Sequence, residues 1–235
     1  MMKTTIISNK SRRDLAHSAV ETIAESVKRI LSQKGRVVMA IPGGRSVAEI
    51  FDEFKTTALI PWDKIHIFMA DERLVESNSH DSNYRNACEL FLSKLLEDKK
   101  IPAKNIHPFK YDISAKDKGL RQYNEEFRKF KKFDIVILGS GEDGHIAAVF
   151  PEHHSIKQEG NEYFVMYDSP KPPKERMTST KNMIENADTA IVLFLGEGKK
   201  QALRNFKDPK LSIIQCPAKT INEAAHPYAF TDNLT

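Results

Sequence analysis

The sequence has few cysteines, no long apolar run and no block of charge of one sign. Its two cysteines, Cys88 and Cys216, lack Cys-x-x-Cys spacing and histidine-rich neighbours, so nothing indicates a disulfide framework or a zinc ribbon. The longest apolar segments, IVILG and AIVLFLG, are far too short to span a bilayer, and MMKTTIISNK lacks the apolar stretch of a signal peptide. We therefore expect a cytoplasmic protein with no membrane partner.

Charge is spread along the chain rather than concentrated. The 235 residues include 36 lysines and arginines and 32 acids, which gives a net charge of +4. The densest basic stretch holds Lys129, Lys131 and Lys132 near a predicted helix end, where cations favour the helix dipole. It indicates a solvated helix end rather than a nucleic-acid surface, so no nucleic-acid partner is expected. The overall charge predicts a mild attraction for anions and carries no information on oligomeric state.

Apolar runs alternate with segments of helical period. This alternation predicts an α/β fold: an open, largely parallel, doubly wound sheet with helices on both faces, Rossmann-like, in a single domain of residues 1–235. The predicted strands are TTIIS, RVVMAI, KIHIFMA, NIHPF, FDIVILG, EYFVMYD, TAIVLFLG and YAF. The predicted helices include one that starts with a capping box at Ser46-Val-Ala-Glu49, one from Ser82 to Glu97 and one from Ser114 to Lys132.

Three of the predicted strands end in loops with chemically useful residues. These loops are Gly43-Gly44-Arg45 after RVVMAI, Asp71-Glu72-Arg73 after KIHIFMA, and Gly139 to His145 after FDIVILG. In open parallel sheets, ligands bind at the carboxyl ends of strands near the topological switch point. The three loops are therefore predicted to meet around one crevice.

The last loop reads Gly-x-Gly-x-x-Gly from Gly139 to Gly144, which is the dinucleotide-binding pattern. Asp168, at the end of the next predicted strand, could supply the acid that such a site uses. Only six residues separate Gly144 from Pro151, however, and these cannot form the crossover helix that supports a pyrophosphate. Dinucleotide binding is therefore disfavoured, and no cofactor is expected.

The same glycines suit close contact with another ligand. One helical turn from about His145 is predicted to direct its amides at an anion or oxyanion, with Asp143 near enough to orient His145 or share its proton. Gly43-Gly44-Arg45-Ser46 predicts a second anion-binding nest and lacks the Walker A lysine. From these residues alone, a surface histidine in a turn and a bare glycine turn remain open alternatives.

Glu152-His153-His154 raises the question of a metal ion. Adjacent histidines do not easily point at one ion, and no third ligand stands at a regular spacing. No metal site is therefore expected.

Taken in order along almost the whole chain, these loops resemble the 6-phosphogluconolactonase family, within the wider glucosamine-6-phosphate isomerase and lactonase superfamily. The similar segments are IPGGRSVAEIF, FMADERLV with HDSNYRNACELF, LGSGEDGHIAAVFP, SPKPPKERMTST and ADTAIVLFLGEGKKQAL. Two positions depart from the family pattern. Ser46-Val47 stands where the family often has Thr-Pro, and Lys219 follows Pro217-Ala218 where the family has serine.

The isomerase branch is the close alternative. It resembles Asp-Gly-His-Ile-Ala-Phe-Asn-Glu at the histidine loop, and here Phe150 occupies the position of that glutamate. It also has Asp-Glu-Tyr where this chain has Asp71-Glu72-Arg73. Both differences favour the lactonase branch.

The resemblance implies hydrolysis of 6-phospho-D-glucono-1,5-lactone, a small sugar-phosphate lactone, in the oxidative pentose phosphate pathway. His145 would be the general base on water, and Asp143 or Asp71 would orient it or hold sugar hydroxyls. The oxyanion would be stabilised by loop amides around Gly43, Gly44 and Gly144. The residues implied to bind substrate are Gly43, Gly44, Arg45, Ser46, Asp71, Arg73, Gly144, Arg176 and Lys199. A non-catalytic sugar-phosphate-binding module is a further alternative, although no helix-turn-helix extension is evident.

Overall fold

The computed structural model of the chain describes residues 4–44 and 47–233. It contains ten strands: β1 (Thr5–Ser8), β2 (Val37–Ile41), β3 (Ile65–Met69), β4 (Asp71–Arg73), β5 (Ile106–His107), β6 (Ile135–Gly139), β7 (Phe164–Met166), β8 (Arg176–Thr178), β9 (Thr189–Phe194) and β10 (His226–Thr231). Seven of them form a parallel sheet in the order β1-β10-β9-β6-β2-β3-β5. This sheet confirms the predicted fold class.

The helices are α1 (Arg12–Leu31), α2 (Ala48–Thr56), α3 (Asn83–Ala87), α4 (Ser93–Glu97), α5 (Leu120–Arg128), α6 (His154–Lys157), α7 (Lys181–Glu185) and α8 (Lys200–Lys207). A π-helical turn, Cys88–Leu92, joins α3 to α4, so the helix predicted from Ser82 to Glu97 is nearly continuous. Ser82 is its N-cap and accepts a hydrogen bond from the Arg85 amide. None of the helices in the described part of the chain is long and apolar enough to cross a membrane.

Helices cover both faces of the parallel sheet because its strands are apolar on both sides. Val37, Met39 and Ile41 of β2 belong to a core shared with α1, α2 and the α3–α4 segment. Val38 and Ala40, the alternate residues of the same strand, belong to a second core with α5, α7 and α8. Side chains alternate across a strand, so a run with no polar position is typical of a strand buried on both faces.

A second, three-stranded antiparallel sheet has the order β4-β8-β7. The prediction that EYFVMYD continues the main sheet is therefore wrong, because β7 pairs with β8 instead. The chain enters this sheet at β4, immediately after β3, and its register places Arg73 directly opposite Arg176. The small sheet thus attaches two arginines to the carboxyl end of the main sheet.

Two predicted helix starts also differ from the structure. The helix predicted from Ser114 begins at Leu120, because Ser114 is bound to Asp112 in a turn and Gly119 adopts a left-handed conformation with φ of 89°. Ser46, the predicted cap of α2, lies outside the described residues. The described N-cap of that helix is Val47, which makes no side-chain capping bond.

Two stacked histidines lie against the second core. His66 Nδ1 is 3.0 Å from His107 Nε2, and His107 Nδ1 is 2.7 Å from Glu126 Oε1. Burial, followed by repulsion from His107, Arg36 and Lys104, lowers the pKa of His66 to about 4. Burial also lowers the pKa of His107, against the opposing effect of Glu126. The folded protein therefore resists protonation of this pair.

We expect the free energy of unfolding to fall as the pH is lowered from about 6.5 towards 4. Below about 6.5 the unfolded chain binds protons that the folded His66 does not, whereas above it both states are neutral and the effect is absent. The slope due to His66 should stay below the roughly 1.4 kcal/mol per pH unit of one full proton, because His66 is only half-buried. Urea unfolding of wild type and His66→Phe across this pH range checks it. An identical pH slope in both proteins would contradict the assignment.

Candidate active site

A cavity of about 740 Å³ opens at the carboxyl ends of β2, β3, β6 and β9. In the sheet, β2 has β3 on one side and β6 on the other. The chain runs from β2 to β3 in one direction and later continues from β6 in the opposite direction, so the topological switch point lies between β2 and β6. The loops after these two strands contribute Gly43 and His145 to the cavity wall, and Asp71 enters it from β4. The prediction that the three loops meet around one crevice is confirmed.

His145 and Asp143 form a hydrogen-bonded pair in this wall. The His145 Nδ1 to Asp143 Oδ1 distance is 2.6 Å, and the same oxygen accepts the His145 amide at 3.1 Å. Burial tends to raise the pKa of Asp143, but its bonds to His145 prevail and lower that pKa to about 2. An ionised carboxylate only accepts hydrogen bonds, so Nδ1 must carry the proton in the neutral ring. Nε2 therefore holds the lone pair that a general base needs.

The backbone around His145 forms a tight turn rather than the predicted helical turn. Ile146 and Val149 exchange two backbone hydrogen bonds, of 2.8 and 3.3 Å, and Ala147 between them has φ of 49°. The chain thus reverses its direction between His145 and Pro151. No helix dipole is directed at the cavity from this loop, and the prediction of one is wrong.

Gly141 leaves the space that the His145 ring occupies. A Cβ at position 141 would lie 2.1 Å from both Cε1 and Nδ1 of His145 and 2.6 Å from Asp143 Oδ1. Separations under 3.0 Å are not tolerated, so any side chain here must displace the ring or the carboxylate. Gly141 is therefore required by the His145–Asp143 pair itself, a role that the dinucleotide pattern does not indicate.

We expect Gly141→Ala to lower kcat about 10- to 100-fold while the protein stays folded, because misplacing a catalytic group by about 1 Å costs rate on that order. Steady-state kinetics with a parallel thermal melt checks this expectation. Gly160→Ala is a contrasting variant, since a Cβ at position 160 meets nothing within 4 Å, although Gly160 has φ of 97° and will lose some stability. Equal kcat for Gly141→Ala and wild type would contradict the steric role.

Gly144 has a different role from the predicted substrate contact. Its amide donates to the Gly141 carbonyl at 3.1 Å, and its carbonyl accepts the Ala218 amide at 2.9 Å. It has φ of 86°, a conformation that favours glycine, and it is not among the residues lining the cavity. We therefore correct its assignment as an oxyanion donor: Gly144 shapes the loop that presents His145.

Gly43 and Gly44 line the opposite wall, as predicted. A Cβ on Gly43 would lie 2.2 Å from the Cβ of Asn83, so glycine lets the first turn of α3 approach this loop. Asn83 also lines the cavity, and its side-chain amide donates to the Asp71 carbonyl at 2.9 Å. Its Oδ1 is buried and has no hydrogen-bond partner among the described residues. Arg45 and Ser46, two predicted substrate contacts, lie outside the described residues.

Asp71 pairs with Arg176 rather than with His145. Arg176 Nη1 is 3.6 Å from Asp71 Oδ2, while its Nε and Nη2 donate to the carbonyls of Pro173 and Pro172 at 2.8 and 2.9 Å. Burial lowers the pKa of the Arg176 guanidinium, Asp71 opposes this shift and Arg73 adds to it. The two acids therefore have different partners: Asp143 accepts hydrogen bonds from His145, and Asp71 forms an ion pair with Arg176.

Arg73 is held at the cavity by a buried acid. Glu72 accepts the amides of Arg73, Asn83 and Tyr84 at 2.7 to 2.8 Å and the Ser82 hydroxyl at 3.1 Å. Burial raises the pKa of Glu72, and the three amides act against that rise. This one carboxylate thus joins β4 to the start of α3 and fixes the backbone of two cavity residues. The charged run Asp71-Glu72-Arg73 alone does not indicate this role of Glu72.

Among the described residues, five cationic side chains line the cavity, and three of them are predicted from the sequence. Arg73, Arg176 and Lys199 were predicted, and all three line the cavity. Arg12 and Lys171 line it as well and were missed. Arg12 is the first residue of α1 and is tied to Asp232 by a 2.8 Å ion pair, whereas Lys171 lies in the segment between β7 and β8. The wall therefore matches a strongly anionic ligand.

Lys219, for which the family resemblance implies serine, does not contribute to the cavity wall. It is buried and its amine donates to the carbonyls of Asp208 and Leu211, at the end of α8. It is not among the residues that line the cavity. Lys219 therefore bonds to the segment that follows α8.

Known proteins of similar sequence and structure agree with the fold and the cavity described above. The family profile for glucosamine-6-phosphate isomerases/6-phosphogluconolactonase matches residues 10–229. A 6-phosphogluconolactonase of Borreliella burgdorferi is 34% identical over 190 residues, covering 80% of each chain, and one of Synechocystis is 28% identical over 219 residues, covering 90% of this chain and 88% of the relative. The crystal structure of 6-phosphogluconolactonase from Thermotoga maritima superposes with a TM-score of 0.82 at 28% identity, over 97% of this chain and 99% of that one. The chain belongs to the glucosamine-6-phosphate isomerase/6-phosphogluconolactonase family.

Proposed function

We propose that this protein hydrolyses 6-phospho-D-glucono-1,5-lactone to 6-phospho-D-gluconate, with His145 as the general base on water. The single observation that carries the proposal is the His145–Asp143 hydrogen bond at Nδ1, which makes Nε2 the nitrogen that can accept a proton when the ring is neutral, in the wall of a cavity rich in cations. Relatives that are named 6-phosphogluconolactonase support the same substrate.

The reaction needs one base and one oxyanion site. His145 Nε2 takes a proton from water as its oxygen attacks C1 of the lactone, and the Asp143 carboxylate stabilises the imidazolium that forms. The tetrahedral oxyanion then collapses, the bond from C1 to the ring oxygen breaks, and the imidazolium returns its proton to that oxygen. An aldono-lactone is an activated ester, so no covalent nucleophile is required.

The phosphate and the carbonyl oxygen of the lactone are assigned to different groups of the wall. A phosphate monoester carries nearly two negative charges, and fixed cations bind it with charge-assisted hydrogen bonds. Arg73 and Lys199 are our proposed phosphate ligands, with Arg12 and Lys171 available beside them in the wall. Arg176 already donates to two carbonyls, so we assign it to positioning Asp71 and to the local field. The amides of Gly43 and Gly44 are the proposed oxyanion donors.

The aldose-ketose isomerase is the second candidate, and Phe150 argues against it. Phe150 is fully buried, and its ring lies 4.5 Å from the His145 ring, so the environment beside the base is apolar. The isomerase pattern that this loop resembles has a glutamate at this position, and its carboxylate would transfer a proton. A phenyl ring cannot do so, which leaves His145 and Asp143 as the titratable pair at this end of the loop.

The decisive experiment adds the purified protein to freshly prepared 6-phosphogluconolactone and follows the release of acid above the spontaneous rate. We expect acceleration proportional to enzyme concentration. A parallel reaction with glucosamine 6-phosphate should release no ammonia above background. Ammonia release without lactone hydrolysis would replace the proposal by the isomerase, and tight 6-phosphogluconate binding without turnover would replace it by a binding module.

We also propose that this chemistry takes place in the cytoplasm. Cys88 and Cys216 are both unpaired, as expected for a reduced compartment. Fractionation of cells that express the chain tests this location.

A further inference from the structure

A second cluster of ligand-type side chains lies outside the lactone cavity. His153 is the N-cap of α6, His154 is its first residue, and Asp168 lies in the segment after β7. None of the three lines the cavity. One nitrogen from each histidine and one oxygen of Asp168 all lie within 4.8 Å of one another.

The structure removes the force of the sequence argument against a metal ion at this cluster. The two adjacent histidines do point to one place, since their ring centroids are 4.1 Å apart and both Nε2 atoms face Asp168. The third ligand exists but stands 14 residues after His154, a spacing that the sequence alone does not mark. The chain reversal at Glu152, with φ of 56°, comes directly before the pair.

The distances are close to those of a coordination sphere. His153 Nε2 is 3.6 Å and His154 Nε2 is 2.9 Å from Asp168 Oδ1. Ligand bonds of about 2.0–2.2 Å in a tetrahedral site place ligand atoms roughly 3.4 Å apart. Small rotations of the exposed His154 and Asp168 side chains are therefore enough to admit an ion. Two imidazoles and one carboxylate favour zinc and similar transition metals over magnesium or calcium, which prefer oxygen ligands.

His153 is also oriented as a metal ligand requires. Its Nδ1 is 3.0 Å from the Ser155 hydroxyl, and Ser155 is itself fixed because it accepts the Phe150 amide at 2.9 Å. A hydrogen bond at the second ring nitrogen sets the direction of the coordinating nitrogen. As the N-cap of α6, Nδ1 also accepts the Ser155 amide at 3.3 Å. When a metal binds at Nε2, the ring proton moves to Nδ1, which then donates to the Ser155 oxygen and gives up the bond from the Ser155 amide.

We propose that His153, His154 and Asp168 bind one divalent transition-metal ion of the Zn²⁺ class, at a site distinct from the lactone cavity. Three protein ligands leave a fourth position for water, so the site is open rather than closed. The ion joins the start of α6 to the segment between β7 and β8. Because it binds only the folded chain, it raises the unfolding temperature by mass action.

The test is calorimetric titration of the chelator-treated full-length protein with Zn²⁺, together with thermal melts at increasing Zn²⁺. We expect one ion per chain, and a loss of affinity of about 10- to 100-fold or more in both His154→Ala and Asp168→Asn. Both side chains are more than half exposed, at 54% and 62%, so these variants should fold. The melt gives a readout that does not depend on catalysis.

Two control variants separate this site from other histidine–carboxylate pairs. His17→Ala removes a histidine whose two ring nitrogens face different acids, Glu53 and Glu21, and His145→Ala removes the catalytic pair. Both controls should bind Zn²⁺ as the wild type does. The proposal is overturned if His145→Ala abolishes the binding, if all variants bind equally, or if the wild type binds more weakly than about 1 mM.

Discussion

Replacing His145 by alanine is expected to lower kcat for 6-phosphogluconolactone by about 10²- to 10⁴-fold, which is the usual effect of removing a positioned general base. The Nε2 lone pair that we assign to proton transfer disappears, while the cations that we propose as phosphate ligands are unchanged. KM should therefore change much less than kcat. The measurement is initial-rate kinetics on fresh lactone, corrected for spontaneous hydrolysis.

A matched control is His17→Ala. His17 also pairs with a carboxylate, Glu53, at 2.5 Å, but it lies on the outer side of α1 with 58% of its side chain exposed. This variant should keep the wild-type kcat. If the kcat of His145→Ala is within a few-fold of the wild-type value, His145 is not the general base. The simpler interpretation of a surface histidine in a turn would then hold.

Asp143→Asn should have nearly as large an effect, about 10²- to 10³-fold in kcat. An asparagine amide can donate to Nδ1, which would place the imidazole proton on Nε2, and a protonated Nε2 cannot accept a proton from water. The corresponding change in a buried catalytic triad costs about 10⁴-fold. We expect a smaller loss here because the side chain of Asp143 is 32% exposed and water can compete for the ring.

The control for this variant is Asp168→Asn, which also alters an aspartate paired with a histidine, His154 at 2.9 Å, away from the cavity. In zinc-free buffer it should leave kcat unchanged. Binding of 6-phosphogluconate to Asp143→Asn should remain near wild type, since Asp143 acts through His145. If the asparagine variant keeps full activity at neutral pH, the tautomer argument is incorrect.

Most of the parallel sheet could be predicted from the sequence because its central strands are apolar at almost every position. IVILG in β6 and TAIVLF in β9 are buried on both faces, and such runs are hard to mistake. The small sheet could not be predicted in this way. β4 is three charged residues long, Asp71–Arg73, and forms only because β8 lies beside it. Its hydrogen-bond partners are more than 100 residues away in the chain.

The residues of the candidate site fall into the same two groups: those that a local sequence pattern reveals and those that only the tertiary structure brings to the cavity. His145, Asp143 and Gly43 follow directly from strand ends, so local patterns found them. Arg12 was missed because it is one arginine in the first turn of a long helix, and only the sheet order carries that helix end to the cavity. Gly144 was misassigned because a glycine beside a ligand and a glycine required by a positive φ look the same in a sequence.

The register of the small sheet has a thermodynamic consequence. Arg73 and Arg176 stand directly opposite each other on β4 and β8, and like charges in that relation destabilise a sheet. The two arginines thus repel each other at the place where we propose that the substrate phosphate binds. A bound phosphate group relieves this repulsion, so occupancy and folding are linked. We expect 6-phosphogluconate at about 100 times its Kd to stabilise the fold by about 2.7 kcal/mol, measurable as a higher unfolding temperature that Arg73→Gln diminishes.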